Sequence, residues 1–398
     1  MSALPGDWDG LVVLCAANSW DSVKFADQHL AEALAELVPV LYVDPAVSPL
    51  SPRRRPELRA GLDEPRLRPL APNLARLTPV VLPGPERPGM AAVTTRLVAR
   101  AQRRAVAALL GPGGRPRAVI GVSALVRTLG ASGERLKVYW AQDDFVGGAE
   151  LFGTSAARIQ AGERRLAASA DLIIASSPLV AETWRGRGRA DTLLIPFGCD
   201  AERFATVDQA EPAPDVDLPG PVAGFVGHLG DRIELGLLEA VADGGRSLLL
   251  VGPRHPRFEL ERMEKLLARS NVRWVGPKPF AALPGYLRAI DVGLVPYADS
   301  AFNRGSFPLK TLEYLAAGRG VVASDLPAIR WLIEQGAGAP GLIEVAAGPA
   351  AYAAAVGRAL EAGGDLDPAA VARRRAFAAE HSWARRAEAF AAALGVVR

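Results

Sequence analysis

Short apolar runs rich in β-branched residues alternate with longer amphipathic runs along nearly the whole chain. In the first half, the apolar runs lie at residues 11–18, 38–44, 117–123, 137–144, 171–177 and 191–198. The stretches between them, such as residues 22–37, 90–110 and 154–170, carry apolar residues at helical spacing. This alternation predicts an α/β protein with parallel sheets that helices cover on both faces.

The alternation is interrupted once, at residues 205–221, where Pro, Asp and Ala dominate without periodicity. Such a composition is typical of a linker. The alternation restarts with PVAGFVGHLG at Pro221, and 398 residues are too many for one typical core. We therefore expect two doubly wound, Rossmann-like domains, with ligands at the carboxyl ends of the strands.

Composition indicates a globular protein and excludes several other classes. Hydrophobic residues make up 49% of the chain and charged residues 22%, and the net charge is only +3. No Lys/Arg stripe with interleaved aromatics points to nucleic-acid binding. Cys15 and Cys199 stand in apolar contexts and are expected to be buried thiols. The first apolar run is too short for a signal or membrane segment, so a cytoplasmic location is expected.

One basic segment extends from Ser51 to Pro69, where six arginines, from Arg53 to Arg68, outnumber three acids among four prolines. A solvated loop is one interpretation. The alternative is a peripheral contact with an anionic membrane face or an anionic acceptor, since each basic residue near anionic lipid contributes about 1 kcal/mol.

The stretch FPLKTLEYLAAGRGVVASD, which begins at Phe307, predicts a helix from about Pro308 to Ala317, followed by a strand. Lys310 falls in the first turn, where a cation opposes the helix dipole unless an anion binds there. Glu313 lies one turn further along and is placed to accept hydrogen bonds from ribose hydroxyls. The alternative is a solvated Lys–Glu pair.

A second candidate loop follows the strand that opens the second half. In FVGHLGDR, glycines and polar residues lie between the strand and a helix that begins near Ile233. Glycine lets backbone amides approach a ligand, and a helix N-terminus favours phosphate. The spacing does not match GxGxxG, so an ordinary structural turn is the alternative.

These motifs together resemble those of GT-B glycosyltransferases, in the large retaining family often called family 4 and its teichuronic-acid-type relatives. FVGHLG, LLLVGP, NVRWVGPKPF and FPLKTLEYL occur in the order that this family shows, and IPFGCDAERF and the C-terminal HSW are similar to its other segments. The resemblance implies two domains that face each other across a cleft, with a C-terminal helix crossing back. The expected bounds are 1–205 for an acceptor domain, 206–375 for a nucleotide-sugar domain and 376–398 for the returning helix.

The resemblance also implies roles for individual residues. Glu313 would bind the ribose, and Arg232 and Lys310 would lie near the departing phosphate. The catalytic candidates are Arg232, Lys310, Glu313 and Asp143. The donor-binding candidates are Gly227, His228, Gly276, Pro277, Lys278, Asn303, Arg304, Ser306, Pro308, Leu309 and Thr311.

The sequence departs from the family at one position. The family has an acid eight residues before Glu313, whereas this chain has Gly305 there. We expect Asn303, Arg304 or Ser306 to contact the donor sugar in its place.

The first domain is expected to bind the acceptor. The candidates follow the first strand and the WAQDDF strand: Trp20, Asp21, Lys24, His29 and Asp144. Core or capping roles are the alternative for the residues after the first strand. The adjacent acids Asp143 and Asp144 do not form the Asp-x-Asp metal motif, and no metal and no cofactor are expected.

The sequence thus predicts a glycosyltransferase that moves a sugar from a nucleotide diphosphate sugar, of UDP or GDP type, to a hydroxyl acceptor. Retention and metal independence are expected. The alternatives are a nucleotide-sugar epimerase or hydrolase of the same architecture, and a non-catalytic sugar-nucleotide binding subunit. The acceptor would be a glycan, a lipid-linked glycan or a small molecule.

Overall fold

The computed structural model describes residues 6–53, 55–84, 89–151, 153–362 and 366–396. Arg54, within the basic segment, lies outside the described residues. The chain divides into two units. The first comprises residues 1–196 and 384–398, and the second comprises residues 197–383. The domain bounds expected from the sequence stay a prediction.

The first unit contains one eight-stranded sheet. Its strands are β1 (Val12–Cys15), β2 (Val40–Val43), β3 (Leu67–Ala71), β4 (Leu74–Leu77), β5 (Ala118–Gly121), β6 (Leu136–Ala141), β7 (Leu172–Ala175) and β8 (Leu193–Leu194). Their spatial order is β3-β4-β2-β1-β5-β6-β7-β8. The strand order therefore reverses between β1 and β5, which is where doubly wound sheets bind ligands.

Helices connect these strands as the alternation predicts. They are α1 (Ala26–Ala35), α2 (Ala60–Asp63), α3 (Met90–Leu110), α4 (Ala156–Ser169) and α5 (Pro178–Gly186). Each apolar run predicted in this half contains a strand of the structure, and Cys15 and Cys199 are buried as expected.

The edge of this sheet corrects the expectation of purely parallel pairing. β3 pairs antiparallel with β4, with a register irregularity between Pro69 and Ala71. The basic segment is thus not a plain loop: it contains two short 3₁₀ turns, α2 and most of β3. Arg68 and Pro69 of β3 suit an edge strand and conceal the apolar alternation. The membrane contact of this segment stays a prediction.

The second unit contains a six-stranded, wholly parallel sheet. Its strands are β9 (Val222–Val226), β10 (Ser247–Val251), β11 (Val272–Trp274), β12 (Val292–Val295), β13 (Gly320–Ala323) and β14 (Ile343–Val345), in the order β11-β10-β9-β12-β13-β14. The order reverses between β9 and β12. Sequence analysis missed only the short β14 among these strands.

Nine helices of the described residues belong to this unit. They are α6 (Ala201–Ala205), α7 (Leu235–Asp243), α8 (Leu260–Leu267), α9 (Leu283–Arg288), α10 (Ala301–Gly305), α11 (Leu309–Ala316), α12 (Pro327–Leu332), α13 (Pro349–Glu361) and α14 (Pro368–Glu380). α11 matches the predicted helix to within a residue at each end. A last helix, α15 (Trp383–Ala393), packs on the first unit, where the Phe390 ring lies 5.3 Å from that of Trp140.

Alternate residues of β12 face helices on opposite sides of the sheet. Val292 and Leu294 join the cluster that includes Tyr352 of α13. Gly293 faces the other way, where an added Cβ would lie 2.2 Å from the Tyr314 ring of α11. The absence of a side chain at Gly293 lets Tyr314 lie against the sheet, and its hydroxyl accepts a 2.8 Å hydrogen bond from the Val226 amide. This contact fixes α11 against the end of β9.

The predicted linker is not detached from the second unit. Asp208 accepts a 2.8 Å hydrogen bond from Arg319 and also pairs with Arg375. Asp215 accepts hydrogen bonds from Lys278 and from the Tyr286 hydroxyl. Residues 205–221 therefore lie along the second unit through specific charged contacts.

We predict that Gly293→Ala destabilises the second unit by about 1–3 kcal/mol, because the new methyl group must displace the buried Tyr314 ring. Urea unfolding followed by tryptophan fluorescence measures the change. Gly244→Ala is the matched control, since its new Cβ would make only ordinary contacts, the nearest at 3.4 Å. Equal midpoints for the two variants would contradict the prediction.

Candidate functional site

The loop after β9 lies at the reversal point of the second sheet and is held from both sides. Leu229 forms a parallel bridge with Arg254, in the loop after β10. Ile233 forms an antiparallel bridge with Tyr297, in the loop after β12. Residues 227–234, which include the predicted loop from Gly227 to Arg232, are thus fixed between two neighbouring loops at the carboxyl edge of the sheet.

Glycines permit this close approach of the loops. Gly252 has a φ of +136°, and a Cβ there would lie 2.0 Å from the Gly227 carbonyl oxygen. The Gly252 amide in turn donates a 2.9 Å hydrogen bond to the Gly276 carbonyl. The structure therefore brings together two predicted donor-binding glycines, Gly227 and Gly276, through a third that the sequence analysis did not single out.

Arg232 is held at this edge by one hydrogen bond and two aromatic rings. Its Nε donates a 2.9 Å hydrogen bond to Asn303 Oδ1. Its guanidinium carbon lies 4.9 Å from the ring centroids of both Tyr297 and Phe302. Within the described ranges it forms no ion pair with a carboxylate.

The three residues expected to replace the missing acid have different environments. Asn303 is fully buried, and its amide group bonds to Arg232 and to two carbonyl oxygens. Arg304 is exposed and pairs with Asp299 at 2.6 Å. The Ser306 hydroxyl is buried and donates to the Phe302 carbonyl at 3.0 Å. Their contact with a donor sugar stays a prediction.

The first two turns of α11 bring the predicted Lys310 and Glu313 together. Lys310 Nζ lies 2.6 Å from Glu313 Oε2, and both side chains are largely buried, with exposures of 24% and 13%. The pair is therefore not a solvated one. Thr311, in the same turn, is fully buried, and its hydroxyl has no hydrogen-bond partner among the described residues. Pro308 and Leu309, also predicted donor contacts, lie at the N-cap and first position.

The loop after β11 carries the other donor candidates. Gly276 has a φ of +72°, which turns the chain into Pro277 and Lys278. Lys278 Nζ pairs with Asp215 at 2.6 Å and lowers the pKa of that carboxyl below its ordinary value. In the loop after β9, the pKa of His228 lies below its ordinary value. Burial of the ring is the main cause, and the neighbouring His255 adds to it.

In the first unit, the carboxyl ends of β1, β2 and β4 hold a buried charge network that the sequence analysis missed. Arg76 forms a bidentate pair with Asp21 at 2.8 and 2.7 Å. Its Nε also lies 2.7 Å from Asp44, and the Arg76 and Asp44 side chains are 1% and 0% exposed. Asp44 accepts further hydrogen bonds from Thr78 and from the Trp20 amide. Asp21, a predicted acceptor contact, therefore has both carboxylate oxygens bonded to Arg76.

A second buried acid orders the start of the same loop. Asp27 accepts hydrogen bonds from the amides of Ala17 and Asn18 and from the side chains of Asn18 and Gln142. Burial raises the pKa of Asp27 above its ordinary value, and these donors oppose the shift. The only sign of this buried role in the sequence is that Asp27 falls on the apolar face of α1, beside Leu30 and other core residues.

The remaining first-unit candidates are dispersed along their elements. The Trp20 ring meets Tyr42 edge-on at 4.9 Å, and Lys24 pairs with Glu32. Asp144 accepts a 2.9 Å hydrogen bond from the Gly147 amide, which closes a turn after β6. His29, on α1, and Asp143, beside Asp144, are half-buried. Acceptor binding by these residues stays a prediction.

The described part of the chain contains neither a group of metal-ligating side chains nor a membrane-spanning helix. No group of three or more His, Cys, Asp or Glu residues is placed to hold a metal ion. None of the helices is both long and apolar enough to cross a membrane.

Residues 220–362 match the family described as glycosyl transferases group 1. One relative is a protein of Bacillus subtilis (strain 168) whose name assigns it provisionally as a teichuronic acid biosynthesis glycosyltransferase. It is 32% identical over 178 residues, which are 42% of this chain and 44% of that protein. A D-inositol 3-phosphate glycosyltransferase of Acidothermus cellulolyticus is 30% identical over 50% of this chain and 49% of its own length. The chain thus spans about half the length of the curated relatives that it matches.

Solved structures resemble the whole chain in fold. Sucrose-phosphate synthase from Thermosynechococcus elongatus has a TM-score of 0.68 at 19% identity, covering 96% of this chain and 98% of its own. The Anabaena protein HepE, in complex with UDP-glucose, has a TM-score of 0.64 at 14% identity, covering 97% and 100%. The predicted GT-B fold, with two Rossmann-like units, is confirmed.

We predict that Arg76→Leu destabilises the first unit by about 3–5 kcal/mol, because it leaves the buried Asp44 carboxylate without its cation. Thermal and urea unfolding measure the loss. Arg59→Leu is the matched control: Arg59 pairs with Asp63 at 3.6 Å on the surface, where such a pair contributes less than about 1 kcal/mol. A loss of stability no larger in Arg76→Leu than in this control would refute the network's importance.

Proposed function

We propose that the chain transfers a sugar from a nucleoside diphosphate sugar to a hydroxyl acceptor, because residues 220–362 match the family of glycosyl transferases group 1. The observation that carries this proposal is the placement of Arg232 and the N-terminal turn of α11 after neighbouring strands of one parallel sheet. The open amides of a helix N-terminus and a cation without an acid partner both attract phosphate.

Particular residues of the second unit support a donor site. We propose that Arg232, Lys310 and the backbone amides of residues 309–311 bind the diphosphate. Glu313 would then bind the ribose through the carboxylate oxygen that Lys310 leaves open. The loop from Gly276 to Lys278 would frame the base. A donor of UDP or GDP type is proposed, and the UDP-glucose complex of the structurally similar HepE supports the former.

The proposed reaction retains the configuration of the sugar. The bond from the anomeric carbon to the diphosphate oxygen breaks, and the acceptor oxygen bonds to that carbon on the same face. The departing diphosphate takes the acceptor proton, so no strong protein base is needed. Arg232, Lys310 and the α11 amides stabilise the charge that develops on the leaving group. They supply the positive charge that a metal ion would otherwise provide.

We propose that the first unit binds the acceptor at the carboxyl edge of its sheet. The candidates there are Trp20, Asp21, Lys24, His29 and the acids after β6. Asp143 is the candidate among them for a contact with the reacting hydroxyl. The relatives named for teichuronic acid and inositol phosphate support acceptors rich in hydroxyl groups.

We predict that the metal-free protein binds one of UDP, GDP, dTDP and ADP with micromolar affinity in a calorimetric titration. Glu313→Ala should abolish that binding, because the ribose loses its acceptor and Lys310 loses its partner. Glu361→Ala is the matched control, since Glu361 pairs with Arg246 at the opposite edge of the same sheet. No binding of any of the four, or equal binding by Glu313→Ala, would overturn the donor site.

We predict that sugar transfer proceeds at an unchanged rate in excess EDTA, and that the product keeps the anomeric configuration of the donor. The rate is measured by release of the nucleoside diphosphate and the configuration by NMR of the product. Loss of activity in EDTA with recovery in Mg²⁺ would contradict metal independence. Donor consumption without any acceptor would instead favour a hydrolase or epimerase.

A further inference from the structure

Asn303 holds the loop after β9 from a fully buried position on α10. Its side-chain amide nitrogen donates to the carbonyl oxygens of Arg232 and Ala298, at 2.9 and 2.8 Å. Its side-chain oxygen accepts the 2.9 Å hydrogen bond from Arg232 Nε. One amide group therefore fixes both the backbone and the side chain of Arg232, although 71 residues separate the two in sequence.

The guanidinium plane of Arg232 is also fixed by its neighbours. Tyr297 and Phe302 each place a ring centroid 4.9 Å from the guanidinium carbon. With Nε bonded to Asn303, the two terminal nitrogens of Arg232 have no hydrogen-bond partner in the part of the chain that the structure describes. They are the donors left to bind a ligand.

Other cations around this edge are neutralised by acids. Lys310 pairs with Glu313, Lys278 with Asp215, Arg304 with Asp299 and Arg254 with Glu264. The residue that orients Arg232 is instead a neutral amide. Asn303 accepts the hydrogen bond of Arg232 Nε, as an aspartate could, but it does not cancel the charge of Arg232.

On the basis of the proposed function, we propose that Asn303 is a positioning residue for a diphosphate site. It directs the terminal nitrogens of Arg232 toward a phosphate of a nucleoside diphosphate and leaves the guanidinium charge available to that phosphate. Asn303 itself touches no ligand, since all of its side-chain polar atoms are engaged and it has no exposed surface. This role differs from the sugar contact that the sequence suggested.

An aspartate at this position would have two opposite effects. Its carboxylate would still accept the Nε hydrogen bond of Arg232, now as an ion pair that lowers the attraction of Arg232 for phosphate. It would also lose both donated hydrogen bonds and face two carbonyl oxygens, which costs stability. The experiment must therefore separate affinity from stability.

We expect Asn303→Asp to weaken binding by about tenfold or more, as for the loss of a charge-assisted hydrogen bond. The probes are inorganic pyrophosphate and the nucleoside diphosphate that the wild-type protein binds. Both should weaken by a similar factor, because the change acts on the phosphate site. An equal affinity of wild type and variant, or an effect on the nucleotide alone, would overturn the proposal.

Asn271→Asp is the matched control. The Asn271 amide also donates to two carbonyl oxygens, of Ala242 and Arg246, at 2.8 and 2.9 Å, but it lies before β11 at the opposite edge of the sheet. This variant should lose comparable stability and keep the affinity for both probes. A similar loss of affinity in Asn271→Asp would mean that general destabilisation explains the effect.

A double-mutant cycle with Arg232→Gln distinguishes positioning from a structural role. In the Arg232→Gln protein, Asn303→Asp should cause no further loss of affinity, since the charge on which it acts is gone. A further loss of the same size would overturn the proposal. If Asn303→Asp does not fold, Asn303→Ala replaces it in the cycle, and the same absence of a further loss is expected.

The outcomes also separate this inference from the proposed function. If the wild-type protein binds no nucleoside diphosphate, the donor site itself fails. If it binds one and the Asn303 variants bind equally well, the donor site stands and the role of Asn303 fails.

Discussion

Parallel pairing of the strands is the constraint on which the rest of this structure depends. It places every loop that follows a strand on one edge of its sheet, so residues distant in sequence meet there. In the second unit the strand order reverses between β9 and β12, which is where doubly wound sheets bind ligands. Arg232 follows β9 and Asn303 follows β12, and their contact is a direct result of that topology.

The packing of α11 against one face of the sheet is coupled to the loops at the carboxyl ends of the strands. Tyr314 can lie against β12 only because Gly293 has no side chain, and its hydroxyl then reaches the last amide of β9. The position of α11, and with it Lys310 and Glu313, is thus set by a buried aromatic ring beside the strand that leads into the Arg232 loop. Two parts of the proposed donor site share one core contact, so a change in packing would move both.

Local patterns could predict the elements and the short-range contacts. The apolar alternation places almost all of the strands, and the spacing of Lys310 and Glu313 predicts that they share a helix face, where they form an ion pair. Contacts made through folding could not be predicted in this way. Arg76 is 55 residues from Asp21 and 32 from Asp44, and in sequence it is one arginine in a strand. The β3–β4 hairpin was missed because its edge strand carries proline and charge in place of an apolar run.

Gly305 stands where the family that the sequence resembles has an acid. The residues around this position show how charge is distributed at the carboxyl ends of the strands. Gly305 closes α10, and the polar residue of that helix which turns inward is Asn303, two positions earlier. A buried acid beside Arg232 would neutralise a cation there that, among the described residues, has no acid partner. A neutral amide provides the same orientation and leaves the charge to a ligand that brings its own negative charge. A neutral amide at residue 303 is therefore compatible with the proposed phosphate site, because it leaves the charge of Arg232 uncancelled.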